Sequence, residues 1–341
     1  MPVLQVTQQA ISERLRTFPP ELLWGCLQHL IPVLQTRAQA RQRPLPPLLA
    51  WARSHYTAVL AGDGSTLDAL LCQVGLLRTS PTWPLAGKLF AVLDVCTPLP
   101  RALWYTEAAT THDQQFWEPL LHCIPTGALV WLDLGFTNFA YYARLTFCTF
   151  ITRAKSNLAY EIVRVWQQTN TVRDYLVWVG QGDTRQQLRL VLIRHAGCWY
   201  RYLTNELDPQ RLPAIYVANL YRQRWRIEEV FHAVKRLLGL AYFWTGSVYG
   251  ILLQVWATWM VYGILVDLTD AVAEAPERPW LDLSLEMVYR GLYYFQQAHQ
   301  RGEATDPIAY LAAHAAWLGI IKQRCKGSKA KELALTGSAN P

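Results

Sequence analysis

Between Arg236 and Asp267 the chain runs for thirty residues without a charged side chain. A stretch of that length, which includes GSVYGILLQVWATWMVYGILV, suits either a helix that crosses a bilayer or a helix buried on every side in a large core. Gln254 and Thr258 interrupt it, no second comparable segment occurs, and Asp267 and Asp270 follow it where a basic anchor would be expected. These features favour a buried core helix over a membrane span.

The composition fits a basic protein with a large core. Hydrophobic residues make up 52% of the 341 positions and charged residues 17%, which excludes a disordered chain. Lys and Arg together number 32, against 25 Asp and Glu. Of the 32 cations, 25 are arginines, whose planar fork matches phosphate oxygens. A GC-rich genome also raises arginine content. The excess lies between residues 151 and 236, with 14 Lys and Arg against 7 Asp and Glu, which favours a polyanionic partner.

The cysteines and the first residues of the sequence argue against a secreted protein. The seven cysteines are scattered without metal-ligand spacing, and we expect them to be reduced thiols. The opening sequence MPVLQVTQQAISERLR shows no charged segment followed by an apolar run, so we expect no signal peptide. We therefore predict a cytoplasmic protein.

The pattern of residue types changes along the chain and predicts five segments. Strand-like runs surround one helical stretch in residues 55–156, and β-branched and aromatic residues alternate between polar turns in residues 157–208. The prediction is an α/β protein with a β-rich insertion. Its segments are a helical N-terminal region (1–54), the first part of the core (55–156), the insertion (157–208), the second part of the core (209–274) and a helical C-terminal region with a basic tail (275–341).

Two of the apolar runs end in a carboxylate next to a glycine. Asp63 ends the run in AVLAGDGS, and Asp133 ends the run in VWLDLG. Together with Glu228 on a later helix, two strand ends can bring three carboxylates to one point, which is the oxygen ligand set of a two-metal phosphoryl-transfer centre. An Asp at a strand end is also ordinary turn chemistry, and Asp94 and Asp68 are competing candidates.

The helix that carries Glu228 is strongly basic. Tyr221, Arg224, Glu228 and Lys235 follow one another at steps of three, four and seven residues, which keeps them on roughly one helix face. Further arginines lie on the other faces, more than Glu228 and the adjacent glutamate can pair. We therefore expect an anionic partner along this helix.

These residues carry a resemblance to a known family. The segment YRQRWRIEEVFHAVK, from Tyr221 to Lys235, matches the Y-(2)-R-(3)-E-(6)-K signature and so resembles DDE transposases of bacterial insertion sequences of the IS-four kind. DGS at Asp63 and WLDLGFTN at Asp133, with FITRAKSN following, are similar to the two Asp motifs of that family in the expected order. The resemblance covers roughly residues 55–270.

The resemblance implies a fold, an activity and a set of site residues. The fold is a ribonuclease-H-like core, a mixed sheet flanked by helices, with the family's β-strand insertion at 157–208. The activity is cut-and-paste DNA transposition, in which DNA is cleaved at the transposon ends and the ends are transferred to target DNA. Asp63, Asp133 and Glu228 would be the catalytic triad and would hold two Mg²⁺ ions, with Mn²⁺ as a substitute. The expected DNA-binding residues are Tyr221, Arg224, Lys235, Trp225, Arg222, Arg226, Arg153 and Lys155.

The resemblance also implies partners. They are double-stranded DNA with terminal inverted repeats, target DNA and a second copy of the chain in a homodimer on paired ends, with no membrane. Residues 1–54 would bind the DNA ends, where the obvious phosphate contacts are Arg14, Arg16, Arg37, Arg41 and Arg43. One tryptophan of the insertion would hold a flipped base, and the candidates are Trp166, Trp178 and Trp199. The alternative is a DNA-binding protein of transposase descent that no longer does chemistry.

Overall fold

The computed structural model describes residues 6–41, 43–67, 87–240, 243 and 247–322. Asp68 and the basic tail after Lys322 lie outside the described residues. The helices are α1 (Gln8–Thr17), α2 (Pro20–Ala40), α3 (Pro47–His55), α4 (Trp117–Cys123), α5 (Phe139–Arg144), α6 (Ala214–Arg222), α7 (Arg226–His232), α8 (Val248–Glu274), α9 (Leu285–Gln300) and α10 (Pro307–Ala313).

Within the described residues, one mixed sheet of nine strands lies between these helices. Its strands are β1 (Val59–Thr66), β2 (Lys88–Asp94), β3 (Pro100–Thr106), β4 (Leu129–Leu132), β5 (Thr149–Arg153), β6 (Glu161–Gln168), β7 (Val172–Val179), β8 (Gln186–His195) and β9 (Cys198–Thr204). Their spatial order is β3-β2-β1-β4-β5-β9-β8-β7-β6. The pairs β1–β4 and β4–β5 are parallel and all others are antiparallel, so the predicted α/β fold with a mixed sheet flanked by helices is confirmed.

The alternation of side chains along β1 and β4 separates two cores on the two faces of the sheet. Val59 and Ala61 of β1 pack with α2, α3 and α6 to α8, while Leu60 packs on the opposite face with α4 and α5. The same rule places Trp131 of β4 on the first face. A side chain two residues further along either strand therefore points to the α7 side, and this position belongs to Asp63 in β1 and Asp133 after β4.

The strands of the insertion extend the core sheet. β9 pairs with β5 through Ile151↔Thr204, Thr152↔Leu203 and Arg153↔Tyr202, and β8, β7 and β6 follow outward. The sequence predicted a small inserted sheet, whereas the structure joins its strands edge to edge with the core. The insertion is therefore held in a fixed direction relative to β4 and β5.

The long uncharged stretch forms much of α8, the described helix that is long and apolar enough to cross a membrane. It packs against the other helices: the rings of Trp24 and Trp256 lie 4.5 Å apart, and the Tyr262 hydroxyl donates to the Pro98 carbonyl at 3.0 Å. Trp259 at its centre is fully buried. We interpret α8 as a core helix, in agreement with the sequence-based preference.

Three of the N-terminal arginines pair with aspartates on α8 and do not form a free phosphate-binding surface. Arg41 contacts Asp267 at 2.7 Å and Asp270 at 3.2 Å, Arg43 also binds Asp270, and Arg37 contacts Asp267 at 3.1 Å. The partners lie more than 220 residues apart in sequence, so the pattern around the arginines gave no sign of them. Arg41 and Arg43 are therefore buried and paired, contrary to the expectation that they contact DNA, whereas the side chain of Arg37 is 55% exposed and its predicted DNA contact stays a prediction.

This cluster gives a stability prediction. The Asp270→Ala variant leaves Arg41 and Arg43 buried with one partner fewer, which we expect to lower the free energy of unfolding by about 3 kcal/mol in urea denaturation. Arg37→Gln is the matched control, because its side chain is 55% exposed and such pairs contribute at most about 1 kcal/mol. Equal losses in the two variants would contradict the assignment of a buried cluster.

Candidate active site

Asp63 and Asp133 lie side by side at the ends of neighbouring strands. The parallel register pairs Ala61 with Trp131 and Gly62 with Leu132, so the next residue of each chain is an aspartate on the α7 face. The Gly64 amide donates to the Asp63 carboxylate at 2.8 Å, which helps to fix that side chain. Two carboxylates from rigid strand ends are thus directed to one region.

The third carboxylate comes from a helical segment with irregular turns, residues 214–237, which we call the ribbon. After α6 the chain tightens into a 3-10 turn, Gln223–Trp225, continues as α7, and then widens into a π-helical turn, Ala233–Leu237. Such irregular turns inside helices frequently occur at functional sites. Arg224 lies in the 3-10 turn, and Glu228 lies in the first turn of α7.

The Arg224 guanidinium brings the three carboxylates together. One terminal nitrogen binds Asp63 at 2.8 Å, and the other binds Glu228 at 3.0 Å and contacts Asp133 at 3.5 Å. The arginine and Asp63 are mostly buried, while Glu228 and Asp133 are about one third exposed. One cation therefore lies at the point on which the side chains from β1, β4 and α7 converge.

Burial at this point changes the charge balance. Burial is the largest cause that raises the pKa of Asp63, Arg224 and the Gly64 amide lower it, the Asp133 carboxylate adds to the rise, and the net pKa is about 6. A second positive charge near the three carboxylates would favour their ionised forms. Three carboxylates beside one guanidinium can therefore attract a further cation.

The donor set fits a hard divalent cation in chemistry, although the present arrangement is not a closed metal cluster. Among the described ranges no three His, Cys, Asp or Glu side chains lie close enough together to hold a metal ion. The carboxylates instead surround the guanidinium, whose single positive charge offsets only part of theirs. All three are oxygen donors of the kind that Mg²⁺ and Mn²⁺ bind.

Of two further residues of the signature, Lys235 contacts the end of β1 and Tyr221 lies beside Arg224. The Lys235 ammonium donates to the Thr66 carbonyl at the end of β1. Tyr221 is buried, its ring lies 5.9 Å from the Arg224 guanidinium, and its hydroxyl has no hydrogen-bond partner within the described part of the chain. The predicted common helix face therefore exists, but in this structure its side chains brace the site.

The other predicted DNA-binding residues of the ribbon, two arginines and a tryptophan, point in different directions. Trp225 is 61% exposed, and Arg222 is also exposed. Arg226 is half-buried on the opposite side, where it donates to the Gln223 side chain at 2.6 and 2.9 Å and lies 6.0 Å from the Trp280 ring. Arg226 thus contacts Gln223 and Trp280, and its predicted role in DNA binding stays a prediction.

Cations and aromatic rings are paired along the insertion. Arg153 is exposed and lies 5.8 Å from the Tyr200 ring, and Lys155 is exposed in the loop after β5. All three tryptophans considered for a flipped base have an arginine over the ring: Arg164 over Trp166 at 3.8 Å, Arg173 over Trp199 at 4.5 Å and Arg185 over Trp178 at 4.8 Å. On the ring face that the arginine covers, a base could stack only after the arginine moved.

Sequence reasoning missed the side chains that support the two Asp motifs. The Lys88 ammonium lies 2.6 Å from the Asp113 carboxylate, which is wedged so closely between Gly64 and Gly135 that a β-carbon at either glycine would lie under 3 Å from it. Gln114 donates to the Gly135 carbonyl at 2.6 Å. HDQQF reads only as the polar start of a helix, so no local signal marked these contacts.

The comparison with known proteins agrees with this geometry. Residues 82–245 match the family of transposase DDE domains. This part of the chain, just under half of its length, is similar to a transposase DDE domain. The resemblance to DDE transposases is thereby confirmed, the IS-four kind is consistent with this domain, and the mixed sheet is consistent with a ribonuclease-H-like fold.

A curated relative points the same way. Over 191 residues the chain is 27% identical to "Putative transposase y4zB" of Sinorhizobium fredii (strain NBRC 101917 / NGR234), an alignment that covers 52% of this chain and 52% of that protein. The chain thus spans about half the length of this relative. The matched domain includes Asp133 and Glu228, whereas Asp63 precedes it. Both comparisons support a role in transposition.

Proposed function

We propose that this chain is an active DDE transposase that cleaves DNA at the ends of a mobile element and joins the ends to target DNA. The observation that carries the proposal is the convergence of Asp63, Asp133 and Glu228 on the Arg224 guanidinium. An ion pair that served stability alone would need one carboxylate, and the cost of gathering three beside one cation is consistent with a catalytic role.

Asp63, Asp133 and Glu228 would hold the divalent ions in this proposal. When bound, such ions supply activation of a water or a DNA 3′-hydroxyl and stabilisation of the leaving oxygen, so no covalent bond between protein and DNA is needed. The strand ends fix the two aspartates. The hydrogen bond from Lys235 to β1 and the packing of the Tyr221 ring beside Arg224 help to fix the helix that carries Glu228. Arg224 can exchange its carboxylate partners for a DNA phosphate, which its planar fork binds equally well.

The proposed DNA surface combines the exposed cations near this point. Trp225, Arg222, Arg153 and Lys155 are exposed, and we assign them to contacts with phosphates or bases that position the substrate. We leave Arg226 out because it faces Trp280. In the proposed assembly two copies of the chain hold paired ends that carry inverted repeats, in the cytoplasm and associated with the nucleoid.

The test uses linear duplexes that carry the sequences flanking the coding region of this protein. We expect Mg²⁺-dependent nicks that leave a 3′-hydroxyl at the element boundary, no nicks with a chelator, and little cleavage of scrambled ends. Specific binding of the ends without cleavage in Mg²⁺ or Mn²⁺ would support the alternative, a DNA-binding protein of transposase descent.

Arg224 and a divalent cation should compete for the same carboxylates. We expect Arg224→Gln to raise the affinity for Mn²⁺ in the absence of DNA about tenfold. A tenfold change corresponds to about 1.4 kcal/mol, which is only part of the energy that three contacts between Arg224 and the carboxylates can contribute. Electron paramagnetic resonance of free Mn²⁺ measures this affinity. Arg222→Gln, an exposed neighbour, is the matched control, and an unchanged or weaker affinity in Arg224→Gln would contradict the competition.

A further inference from the structure

We propose that His112 and Lys155 bind a phosphate of the DNA strand in a cleft beside Asp133. The cleft is open and has a volume of about 670 Å³. Asp133 forms part of its wall, and the other lining residues come from three separate parts of the chain: His112, Gln114, Leu134, Gly135, Thr137, Asn138 and Lys155. The inference rests on the proposed function, because it assigns a substrate contact next to one of the proposed catalytic carboxylates.

Most polar groups of the cleft are already used within the protein. The side-chain amide of Gln114 donates to the Gly135 carbonyl, and its oxygen accepts from the side chains of Asn138 and Trp117, both at 3.1 Å. The Asn138 carbonyl oxygen accepts from the Ala140 amide, and the Thr137 hydroxyl donates to the Leu134 carbonyl. These groups shape the wall of the cleft and are not available to a ligand without loss of an internal hydrogen bond.

Two donors remain for a ligand. The Lys155 ammonium makes no hydrogen bond or ion pair with any residue in the described ranges. The His112 Nδ1 atom accepts from the backbone N–H of Gln114 at 3.3 Å. In the neutral ring the proton is therefore on Nε2, which is left to donate. A cation and an N–H donor facing one cleft are the groups that bind a phosphate oxygen.

The turn that carries His112 is held rigidly against both Asp motifs. Lys88 donates to the Thr111 carbonyl at 2.8 Å and pairs with Asp113 on the other side of His112. Asp113 packs between Gly64 and Gly135, and Gln114 is bonded to the loop after Asp133. A donor whose backbone is fixed on both sides is preorganised, which is what a substrate contact beside a catalytic group requires.

The neighbouring carboxylate decides which anion fits. The side chain of Asp133 is 37% exposed, and it repels a free anion in the same cleft. A phosphodiester in a DNA strand carries a single charge and is held by many other contacts, so the repulsion is offset. We therefore assign the cleft to a DNA phosphate and not to inorganic phosphate.

The test is a double-mutant cycle between side chain and phosphate. Binding of the end duplex to His112→Gln, Lys155→Gln and the unaltered protein is measured by fluorescence anisotropy, with one phosphate at a time replaced by a neutral methylphosphonate. At one phosphate we expect the side-chain substitution alone and the methylphosphonate alone each to weaken binding about tenfold, because charged hydrogen bonds of this kind have that strength. The two changes together should weaken binding no further than either alone. Lys155→Gln should also reduce the slope of log affinity against log salt by about one.

His122→Gln is the matched control, since His122 is exposed on α4 and bonds its own helix through the Glu118 carbonyl. Its effect should be additive with every methylphosphonate. The inference would be overturned if the effects of both His112→Gln and Lys155→Gln were additive with the methylphosphonate at every position. It would also be overturned if inorganic phosphate, at constant ionic strength, inhibited DNA binding by the unaltered protein but not by these variants. Coupling in a protein that never cleaves DNA would overturn the proposed function and leave this inference standing.

Discussion

Asp133→Asn and Glu228→Gln are each expected to reduce the rate of Mg²⁺-dependent strand cleavage by about 1,000-fold or more. Each substitution keeps the size of the side chain and removes the negative charge that a divalent cation requires. Arg224 retains two carboxylate partners in either variant, so the fold and the binding of DNA should change little. Single-turnover cleavage of an end duplex, with binding measured in parallel, gives both quantities.

Glu229→Gln provides the control for this experiment. Glu229 follows Glu228 on α7, is exposed, and lines a separate small cavity with Arg226 and Trp280. Its loss should leave the cleavage rate within about threefold, as for an exposed side chain outside the reacting groups. A cleavage rate for Asp133→Asn or Glu228→Gln that is as high as that of Glu229→Gln would remove these residues from the catalytic centre.

The second large effect is on stability. Arg189 of β8 and Asp174 of β7 form a bidentate pair, at 2.7 and 2.6 Å, whose side chains are 0% and 2% exposed. Arg189 also donates to the Leu212 carbonyl at 2.6 Å, just before α6. Arg189→Met leaves an unpaired buried carboxylate, and we expect it to lower the free energy of unfolding by about 4 kcal/mol in urea denaturation.

The double variant separates charge from packing. In Arg189→Met with Asp174→Leu no buried charge is left, and most of the lost stability should return, because such pairs rarely exceed a well-packed apolar replacement. A loss in Arg189→Met below about 1 kcal/mol would show that the pair is solvated in solution. Because Leu212 lies next to the ribbon that carries Glu228, the single variant should also loosen the connection between insertion and site.

Local patterns in the sequence predicted the parts of the site that lie within one element. Runs such as AVLAGDGS and VWLDLG identify strands, and a period of two places Asp63 and Asp133 on the same face as Val59 and Trp131. The steps between Tyr221, Arg224 and Glu228 likewise predicted a shared helix face. Sequence spacing was sufficient here because each relation lies within one element.

Relations between distant elements could not be predicted in this way. Arg224 meets Asp63 across 161 residues, and Asp113 reaches Gly64 and Gly135 only because the sheet and the turn before α4 are packed together. The sequence suggested DNA contacts for Arg41 and Arg43 because basic side chains without a local partner look free. Their partners, Asp267 and Asp270, lie on a helix more than 200 residues later.

The most direct test of the central claim is whether the three carboxylates hold divalent cations at one shared centre. Fe²⁺ bound in place of Mg²⁺ generates hydroxyl radicals with ascorbate and peroxide, and these radicals cut the polypeptide close to the ion. On the protein bound to duplex DNA we expect cuts near Asp63, Asp133 and Glu228, which excess Mg²⁺ suppresses and Asp133→Asn abolishes. Cuts confined to one of these positions, or absent from all three, would contradict a shared metal centre.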